Sequence, residues 1–304
     1  MHPLSFICVY LAILFSPSLA SSTETPFASS TETPGPISDS LYEDFVRYTK
    51  YSSAAYETVC PCPLGNTLVK SFEVNRTQGF VARDDTLKEI VVAFRGTFSL
   101  RETLIDTQVE LVPFISPGLP ELPNVNVHRG FLGAYNDVAL EILSTVKAQL
   151  AQFPHYRLLL TGHSLGGAIA ALAAVSLKNA SPHAVISLYT FGQPRAGNPA
   201  FATYVEDMID ASNIFRTIHT VDGIPRMVLR DWGYEHFSTE YWQFKDPLPY
   251  TGEASTVTKC AARENPTCSD SVGSSGLNAA HTYYFGQVMT TNPLLCVSDA
   301  SSYV

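Results

Sequence analysis

The segment from residue 156 to residue 177 constrains the fold more than any other part of the sequence. It reads YRLLLTGHSLGGAIAALAAVSL, in which two apolar runs flank the pentapeptide Gly-His-Ser-Leu-Gly at 162–166. The first run has the length and composition of a buried strand, and the second has those of a buried helix. The pentapeptide therefore has the strand–turn–helix context that the G-x-S-x-G nucleophile elbow requires.

An elbow of this kind predicts a reactive serine at position 164. Ser164 would stand on a strained turn above the strand ends, and the glycines on either side would let neighbouring backbone approach closely. The amide of Leu165 would lie at a helix N-terminus, where unpaired N–H groups and the helix dipole favour an anion. We therefore predict Ser164 as nucleophile and Leu165 as an oxyanion donor. An ordinary strand–helix turn that contains Gly and Ser is the alternative.

A nucleophilic serine requires a base and an orienting carboxylate, which follow it in the order Asp or Glu, then His, in the fold that carries this elbow. Asp222 ends the predicted strand 213–221, so its carboxylate would lie at the C-terminal end of that strand. The histidines after Ser164 are His183, His219, His236 and His281. With Asp222 as the acid, the base is His236 or His281. We favour His281 because it precedes an aromatic run that can pack its loop.

Predicted strands and helices alternate along the chain. The predicted strands include 88–94, 156–162, 185–191 and 213–221, and the predicted helices are 39–58, 132–152, 166–177 and 198–210. This alternation indicates an α/β fold with a largely parallel sheet flanked by helices. A chain of 304 residues that is 45% hydrophobic can bury a large core as a single domain.

The first 37 residues differ from the rest. Residues 1–20 hold an apolar run that ends in Ser-Leu-Ala, which predicts a secretory signal peptide rather than a transmembrane anchor. Residues 21–37 contain SSTETP twice, which predicts a disordered leader or propeptide and leaves 38–304 as the catalytic domain. We expect a secreted, extracellular protein, and the glycosylation sequons at Asn75 and Asn179 agree with this.

The charge and the cysteines narrow the possible partners. A net charge of −9 argues against nucleic acid and against electrostatic capture by anionic membranes. A lipid partner would therefore be held by apolar surface. No cysteine spacing indicates a metal site, and nothing indicates an organic cofactor. Five cysteines remain after Cys8 leaves with the signal, so one thiol is unpaired or pairs elsewhere.

Six separated motifs carry a family resemblance. They are FRGT (94–97), VHRGF (127–131), GHSLGGA (162–168), FGQPRAGN (191–198), HTVDGIP (219–225) and AHTYYFG (280–286). From about Ile37 to Cys296 the chain resembles the filamentous-fungal class 3 lipases, which include a feruloyl esterase branch. The resemblance implies an α/β-hydrolase fold with a lid helix, the triad Ser164–Asp222–His281, and Thr97 as the second oxyanion donor. It also implies the disulfides Cys60–Cys296 and Cys260–Cys268, which leave Cys62 unpaired; the alternative is that Cys60 and Cys62 exchange roles.

The segment that follows Thr97 is a predicted lid, at about 98–109. Ser-Leu-Arg-Glu at 99–102 is a capping box, which predicts a helix from Leu100. The apolar side chains of this segment are Leu100, Leu104, Ile105 and Val109. In the lipases it resembles, the lid covers the triad in water and opens at an oil–water interface. An ordinary amphipathic helix packed on the core is the alternative.

The resemblance leaves the substrate open. The stretches SAAYETVC (53–60) and RDDTLKEI (83–90) are similar to the feruloyl esterase branch, which holds a phenolic acid with tyrosines. Those tyrosines align near Val109 and Phe131, which have no hydroxyl, and an apolar wall accepts acyl chains. We therefore predict a monomeric triacylglycerol or mono- and diacylglycerol lipase. The alternatives are a feruloyl esterase that releases hydroxycinnamic acids from plant cell walls and an inactive relative that binds lipid or cell wall.

Overall fold

The computed structural model describes residues 34–97, 109–246, 254–274 and 276–298. The predicted signal peptide and the two SSTETP repeats, apart from Pro34, lie outside these ranges. So does most of the predicted lid, including Leu100, Leu104 and Ile105, and the lid therefore stays a prediction. Within the described ranges, no helix is both long enough and apolar enough to cross a membrane.

Helices and strands alternate through the first two thirds of the described chain. The helices are α1 (Asp39–Ala54), α2 (Arg129–Gln152), α3 (Leu165–Ala180), α4 (Pro199–Met208) and α5 (Ile224–Met227). The strands are β1 (Gly35–Pro36), β2 (Thr67–Val74), β3 (Thr77–Asp84), β4 (Glu89–Phe94), β5 (Leu111–Pro113), β6 (Asn126–His128), β7 (Arg157–His163), β8 (Ile186–Phe191), β9 (Ile214–His219), β10 (Glu240–Gln243), β11 (Val257–Lys259), β12 (Tyr283–Tyr284) and β13 (Gln287–Val288).

Nine of these strands form one sheet, in the order β1-β11-β10-β9-β8-β7-β4-β3-β2. The five strands at its centre, β4 and β7 to β10, run parallel to one another. The outer strands, β1 and β11 on one side and β3 and β2 on the other, pair antiparallel. The carboxyl ends of parallel strands meet at one edge of a sheet. The predicted α/β class is confirmed, and this carboxyl edge is where the elbow lies.

Both faces of the sheet are buried under helices. Side chains alternate between the faces of a strand, so Ile90, Val92 and Phe94 of β4 join the core under α2, α3 and α4. Val91 and Ala93 point to the other face, where α1 covers them. Strands that are buried on both faces need apolar residues at every position, which explains the continuous apolar runs in the sequence.

The last three residues of the predicted leader, 35–37, are part of the folded structure. Gly35 and Pro36 form β1, which pairs with Lys259 and Thr258 at the edge of the sheet, and Ile37 packs against the core. The composition argument rested on the polar repeat, whereas these residues lie beyond it and gain main-chain pairing and apolar contact. Proline is tolerated here because an edge strand does not need every N–H.

The described residues contain two disulfides, one of which ties the loop-rich C-terminal third to the rest. Cys60–Cys296 links the segment after α1 to the end of the described chain, and Cys260–Cys268 closes a short loop. Cys62 is a free thiol. The first bridge spans 236 residues. In the chain-entropy description, closing so long a loop stabilises the fold by about 5 kcal/mol.

Candidate active site

Ser164 stands on the sharp turn between β7 and α3. Its φ is +59° and its ψ is −128°, a strained backbone conformation for a residue with a side chain. The glycines around it are required by close packing. A Cβ on Gly162 would lie 2.3 Å from the backbone of Gly166, and one on Gly166 would lie 2.3 Å from the carbonyl oxygen of Phe94. The elbow therefore presses the start of α3 against the end of β4.

Asp222 lies three residues after β9, at the same edge of the sheet, and is fully buried. Its Oδ1 accepts the Ile224 N–H at 2.9 Å. Its Oδ2 accepts from His281 Nδ1 at 2.8 Å and from the Tyr284 hydroxyl at 2.5 Å. Burial first, and then the adjacent Asp222 carboxylate, raise the pKa of Tyr284 well above its usual range, so this hydroxyl stays a donor.

His281 lies in a single turn of helix, Ala279–Thr282, that Asn278 holds in place. The Asn278 side chain accepts the Ala280 N–H at 3.0 Å and donates to the Val221 carbonyl at 2.7 Å. The bond to Asp222 directs the hydrogen of a neutral imidazole to Nδ1, which leaves Nε2 as an acceptor. This is the tautomer that a general base requires.

The two atoms that would exchange a proton are both buried. Ser164 Oγ and His281 Nε2 have no hydrogen-bond partner among the described residues, so no hydrogen bond joins them in this structure. Catalytic hydrogen bonds are often long or poorly aligned without substrate and tighten in its presence. The structure thus brings the three predicted triad residues to one edge and joins Asp222 to His281.

Gly192, which follows β8, makes room for the acid–base pair. Its φ is +61°, and a Cβ there would lie 2.7 Å from Asp222 Oδ2, 2.8 Å from the Tyr284 hydroxyl and 3.0 Å from His281 Nδ1. A side chain at 192 would therefore displace the hydrogen bonds that orient the base.

The alternative base, His236, lies elsewhere. It is buried, its Nε2 donates to the Pro225 carbonyl at 3.0 Å, and its N–H binds Glu264. Burial, and then the nearby Arg216, lower the pKa of His236 well below its usual range. His236 is therefore a neutral core histidine with its Nε2 committed to a backbone carbonyl.

The predicted oxyanion donors lie beside the elbow. Leu165 is the first residue of α3, and Thr97 follows the end of β4. A Cβ on Gly96 would lie 3.2 Å from Ser164 Cβ, which places the residue before Thr97 against the nucleophile. Arg95 donates to the Gln78 side chain and to the Arg76 carbonyl. Gln78 in turn donates to the carbonyls of Ala55 and Glu57, so this loop is tied to the end of α1.

The predicted substrate contacts and glycosylation sites stay predictions. The Val109 carbonyl accepts the Tyr234 hydroxyl at 2.6 Å. Phe131 is fully buried in the first turn of α2, where its ring stacks on His128 at 3.8 Å. Asn75 is exposed in the β2–β3 hairpin turn, and the Asn179 side chain donates to the Gly118 carbonyl.

Sequence reasoning missed the roles of Tyr56 and Tyr284. Tyr284 donates to Asp222, and the Tyr56 hydroxyl lies 2.7 Å from His163 Nδ1. Both residues stand in strings that carried the resemblance, SAAYETVC and AHTYYFG. The strings marked these positions, but only the fold shows which polar atoms the hydroxyls reach.

The sequence of this chain is similar to those of known proteins. A profile of lipases of class 3 matches residues 91–232. A lipase of Rhizomucor miehei is 36% identical over 213 residues, which cover 69% of this chain and 55% of that protein. The secreted mono- and diacylglycerol lipase 1 of Fusarium solani is 36% identical over 71% of this chain and 62% of that protein. Both matches thus span less than two thirds of the relative's length.

The match with one solved structure spans a larger share of the related protein. The crystal structure of a lipase from Rhizopus microsporus var. chinensis matches with a TM-score of 0.73 and 32% identity over 84% of this chain and 90% of that one. Identity at this level over almost a whole solved lipase, together with the shared fold, shows that the chain belongs to the class 3 lipase family.

Proposed function

We propose that the protein is a secreted serine ester hydrolase that acts on triacylglycerols or on mono- and diacylglycerols. The observation that carries the proposal is the Asp222–His281 hydrogen bond at the edge of the sheet where Ser164 stands on a strained elbow. A carboxylate, an oriented imidazole and a strained serine together are the groups that acyl transfer requires.

The reaction follows from the positions of these groups. Ser164 Oγ attacks the ester carbonyl while His281 Nε2 takes the hydroxyl proton. The resulting imidazolium is stabilised by Asp222, which the Ile224 N–H and the Tyr284 hydroxyl hold in place. The negative charge on the carbonyl oxygen is accepted by N–H groups at Leu165 and Thr97, each worth about 3 kcal/mol in a site of this kind.

The second half of the reaction uses the same groups in reverse. The tetrahedral intermediate collapses, the bond to the alcohol breaks, and His281 gives its proton to the departing glycerol oxygen. Water then attacks the acyl-enzyme on Ser164 while His281 takes a proton from it. The bond between the acyl carbon and Ser164 Oγ then breaks, His281 returns the proton to Oγ, and the fatty acid leaves. The two half-reactions balance with the ester and water alone.

Two observations support acylglycerols over hydroxycinnamic esters. The relatives reported above are named as lipases, and one of them as a mono- and diacylglycerol lipase. Val109 and Phe131 offer no hydroxyl to a phenol, and buried polar groups that bind a phenol are what give such a site its selectivity. The secreted Fusarium relative supports placing this protein outside the cell.

Hydrolysis rates on tributyrin, on an olive oil emulsion and on methyl ferulate test the proposal. We expect turnover of the acylglycerols and a loss of about 10⁴-fold or more in kcat for Ser164→Ala. Ser176→Ala is the matched control, because Ser176 is a buried serine of α3 whose hydroxyl donates to the Pro117 carbonyl, outside the active site. It should keep wild-type rates.

Two outcomes would contradict the proposal. A preference for methyl ferulate would assign the protein to the feruloyl esterase branch. An absence of turnover, with no labelling of Ser164 by a fluorophosphonate in water or in detergent, would indicate a binding protein.

A further inference from the structure

The active-site groups come from three distant segments, and a buried pair of side chains connects them. The base His281, the nucleophile Ser164 and the oxyanion residue Thr97 share no helix or strand. Tyr56, just after α1, and His163, the last residue of β7, lie between them and are 4% and 3% exposed. Neither residue has a part in the reaction described above.

The hydrogen bonds of His163 have a determined direction. Its Nε2 lies 2.7 Å from the carbonyl oxygen of His281, and because a carbonyl only accepts, Nε2 carries a hydrogen. Burial, and then the neighbouring His281, lower the pKa of His163 well below its usual range, so the ring is neutral. A neutral ring with its hydrogen on Nε2 must accept at Nδ1, so the Tyr56 hydroxyl donates there at 2.7 Å.

The other side of Tyr56 reaches the oxyanion loop. Its hydroxyl oxygen lies against the backbone of Gly96, 2.2 Å from where a Cβ on that residue would stand. Burial raises the pKa of Tyr56 above its usual range, so the hydroxyl remains a donor. Two hydrogen bonds thus join Tyr56 through His163 to the carbonyl of His281, and the Tyr56 hydroxyl also lies against the backbone of Gly96.

The start of this chain is itself anchored to the sheet. Tyr56 follows α1, where the hydroxyls of Ser52 and Thr161 are 2.8 Å apart and tie the helix to β7. The Tyr56 N–H donates to the Ser53 carbonyl at 2.9 Å, which holds the residue against the end of the helix. The tyrosine is therefore a rigid reference point between the nucleophile strand and the two loops.

We propose that Tyr56 and His163 are positioning residues that hold Thr97 and His281 at set distances from Ser164. The inference rests on the proposed function. The pair acts through Gly96, through the backbone carbonyl of His281, and through the ring of His163, whose centroid lies 4.4 Å from that of the His281 ring. A hydrogen-bonded network in a low-dielectric interior is rigid, and a misplacement of about 1 Å can cost a hundredfold in rate.

Kinetics of Tyr56→Phe, His163→Phe and His163→Gln on soluble p-nitrophenyl butyrate test the proposal. We expect kcat to fall about tenfold in Tyr56→Phe and about a hundredfold in His163→Phe. His163→Gln retains a donor for the His281 carbonyl and should recover part of the loss. KM should stay unchanged within error, because both side chains are buried.

Tyr48→Phe is the matched control. Tyr48 is fully buried, and its hydroxyl donates to Glu89 at 2.8 Å at the opposite edge of the sheet. It should lower Tm without changing kcat. The proposal fails if Tyr56→Phe keeps wild-type kcat, or if Tyr48→Phe loses as much kcat as Tyr56→Phe does.

A nitrogen-15 NMR measurement of the histidine tautomers in the wild-type protein needs no variant to fold. It should show His163 neutral with its hydrogen on Nε2, and a charged ring or a hydrogen on Nδ1 would overturn the proposal. The tautomer can be read even if the protein hydrolyses no ester. Wild-type turnover and its loss in Ser164→Ala judge the proposed function separately.

Discussion

Two buried tyrosine–carboxylate pairs lie at opposite edges of the sheet. At the carboxyl edge the Tyr284 hydroxyl donates to Asp222 at 2.5 Å, and at the amino edge the Tyr48 hydroxyl donates to Glu89 at 2.8 Å. Both carboxylates are fully buried. Burial is the first cause that raises the pKa of Glu89, and the Tyr48 bond and Arg157 oppose it. By residue type and burial the two pairs look alike.

The third partner separates them. Asp222 binds His281, whose Nε2 has no partner among the described residues and points a proton acceptor into the site. Glu89 binds Arg157, whose guanidinium Nε donates to it at 2.6 Å and stays protonated in proteins. The amino-edge pair can only hold charge, whereas the carboxyl-edge pair can move a proton beside a serine. The two pairs therefore differ in the group that each carboxylate orients, an imidazole in one and a guanidinium in the other.

The largest effect expected from this difference concerns the carboxylates. Asp222→Asn should lower kcat by about 10⁴-fold, because an amide there favours the wrong tautomer of the base. Glu89→Gln should leave kcat intact and lower the free energy of unfolding by about 1–3 kcal/mol. Initial rates and urea denaturation of both variants measure this. A loss of kcat in folded Glu89→Gln would contradict the expected difference between the two carboxylates.

The glycines provide a second contrast. Gly192 and Gly286 both have positive φ, +61° and +79°, so alanine at either should cost about 1–2 kcal/mol of stability. Only at Gly192 would the new methyl group meet Asp222 and His281, and a Cβ on Gly286 meets nothing within 4 Å. We expect kcat to fall about a hundredfold in Gly192→Ala alone. Equal kcat losses in both variants would show that backbone strain, not the acid–base geometry, is responsible.

Substitution of the two tyrosines, Tyr284 and Tyr48, should produce a smaller difference in kcat. Tyr284→Phe removes one donor from Asp222 but leaves the bonds from His281 and the Ile224 N–H. We expect kcat to fall about tenfold, the value of one hydrogen bond to a charged group. Tyr48→Phe should leave kcat unchanged. Stopped-flow acylation rates would detect the effect, and an unchanged rate in Tyr284→Phe would remove this tyrosine from the orienting network.

The smallest expected effect is on the pH dependence of the free energy of unfolding. Burial holds the pKa of His163 and His236 well below the usual range, so both are neutral when folded. The unfolded chain binds protons at these residues below about pH 6.5, so stability is complete above that pH and is lost as the pH falls. Each group contributes a slope of up to about 1.4 kcal/mol per pH unit.

Chemical denaturation at a series of pH values measures that slope. His236→Gln should reduce it by one group's share. A free energy of unfolding that stays constant from about pH 7 to about pH 5 would contradict the prediction.

Local patterns predicted most of the fold. Helices and strands form where apolar periodicity and glycine signals agree, so the predicted helix 166–177 corresponds to Leu165–Ala180 and the strand 88–94 to Glu89–Phe94. The helix predicted from 132 begins earlier, at Arg129. His128 caps it by accepting the N–H groups of Gly130 and Phe131, and histidine is not a usual N-cap residue.

The sequence by itself determined the elbow, the α/β class, and the candidates Ser164, Asp222 and His281, because each depends on a short pattern and on the order of elements. Only the tertiary structure shows that His281 and not His236 binds Asp222, and that Tyr56, Tyr284 and Gly192 lie beside these residues. The hydrogen bonds that show this join residues from 59 to 118 positions apart, from Asp222 with His281 to His163 with His281. No local pattern encodes the direction of those hydrogen bonds, since it depends on which donor and acceptor atoms the folded chain brings together.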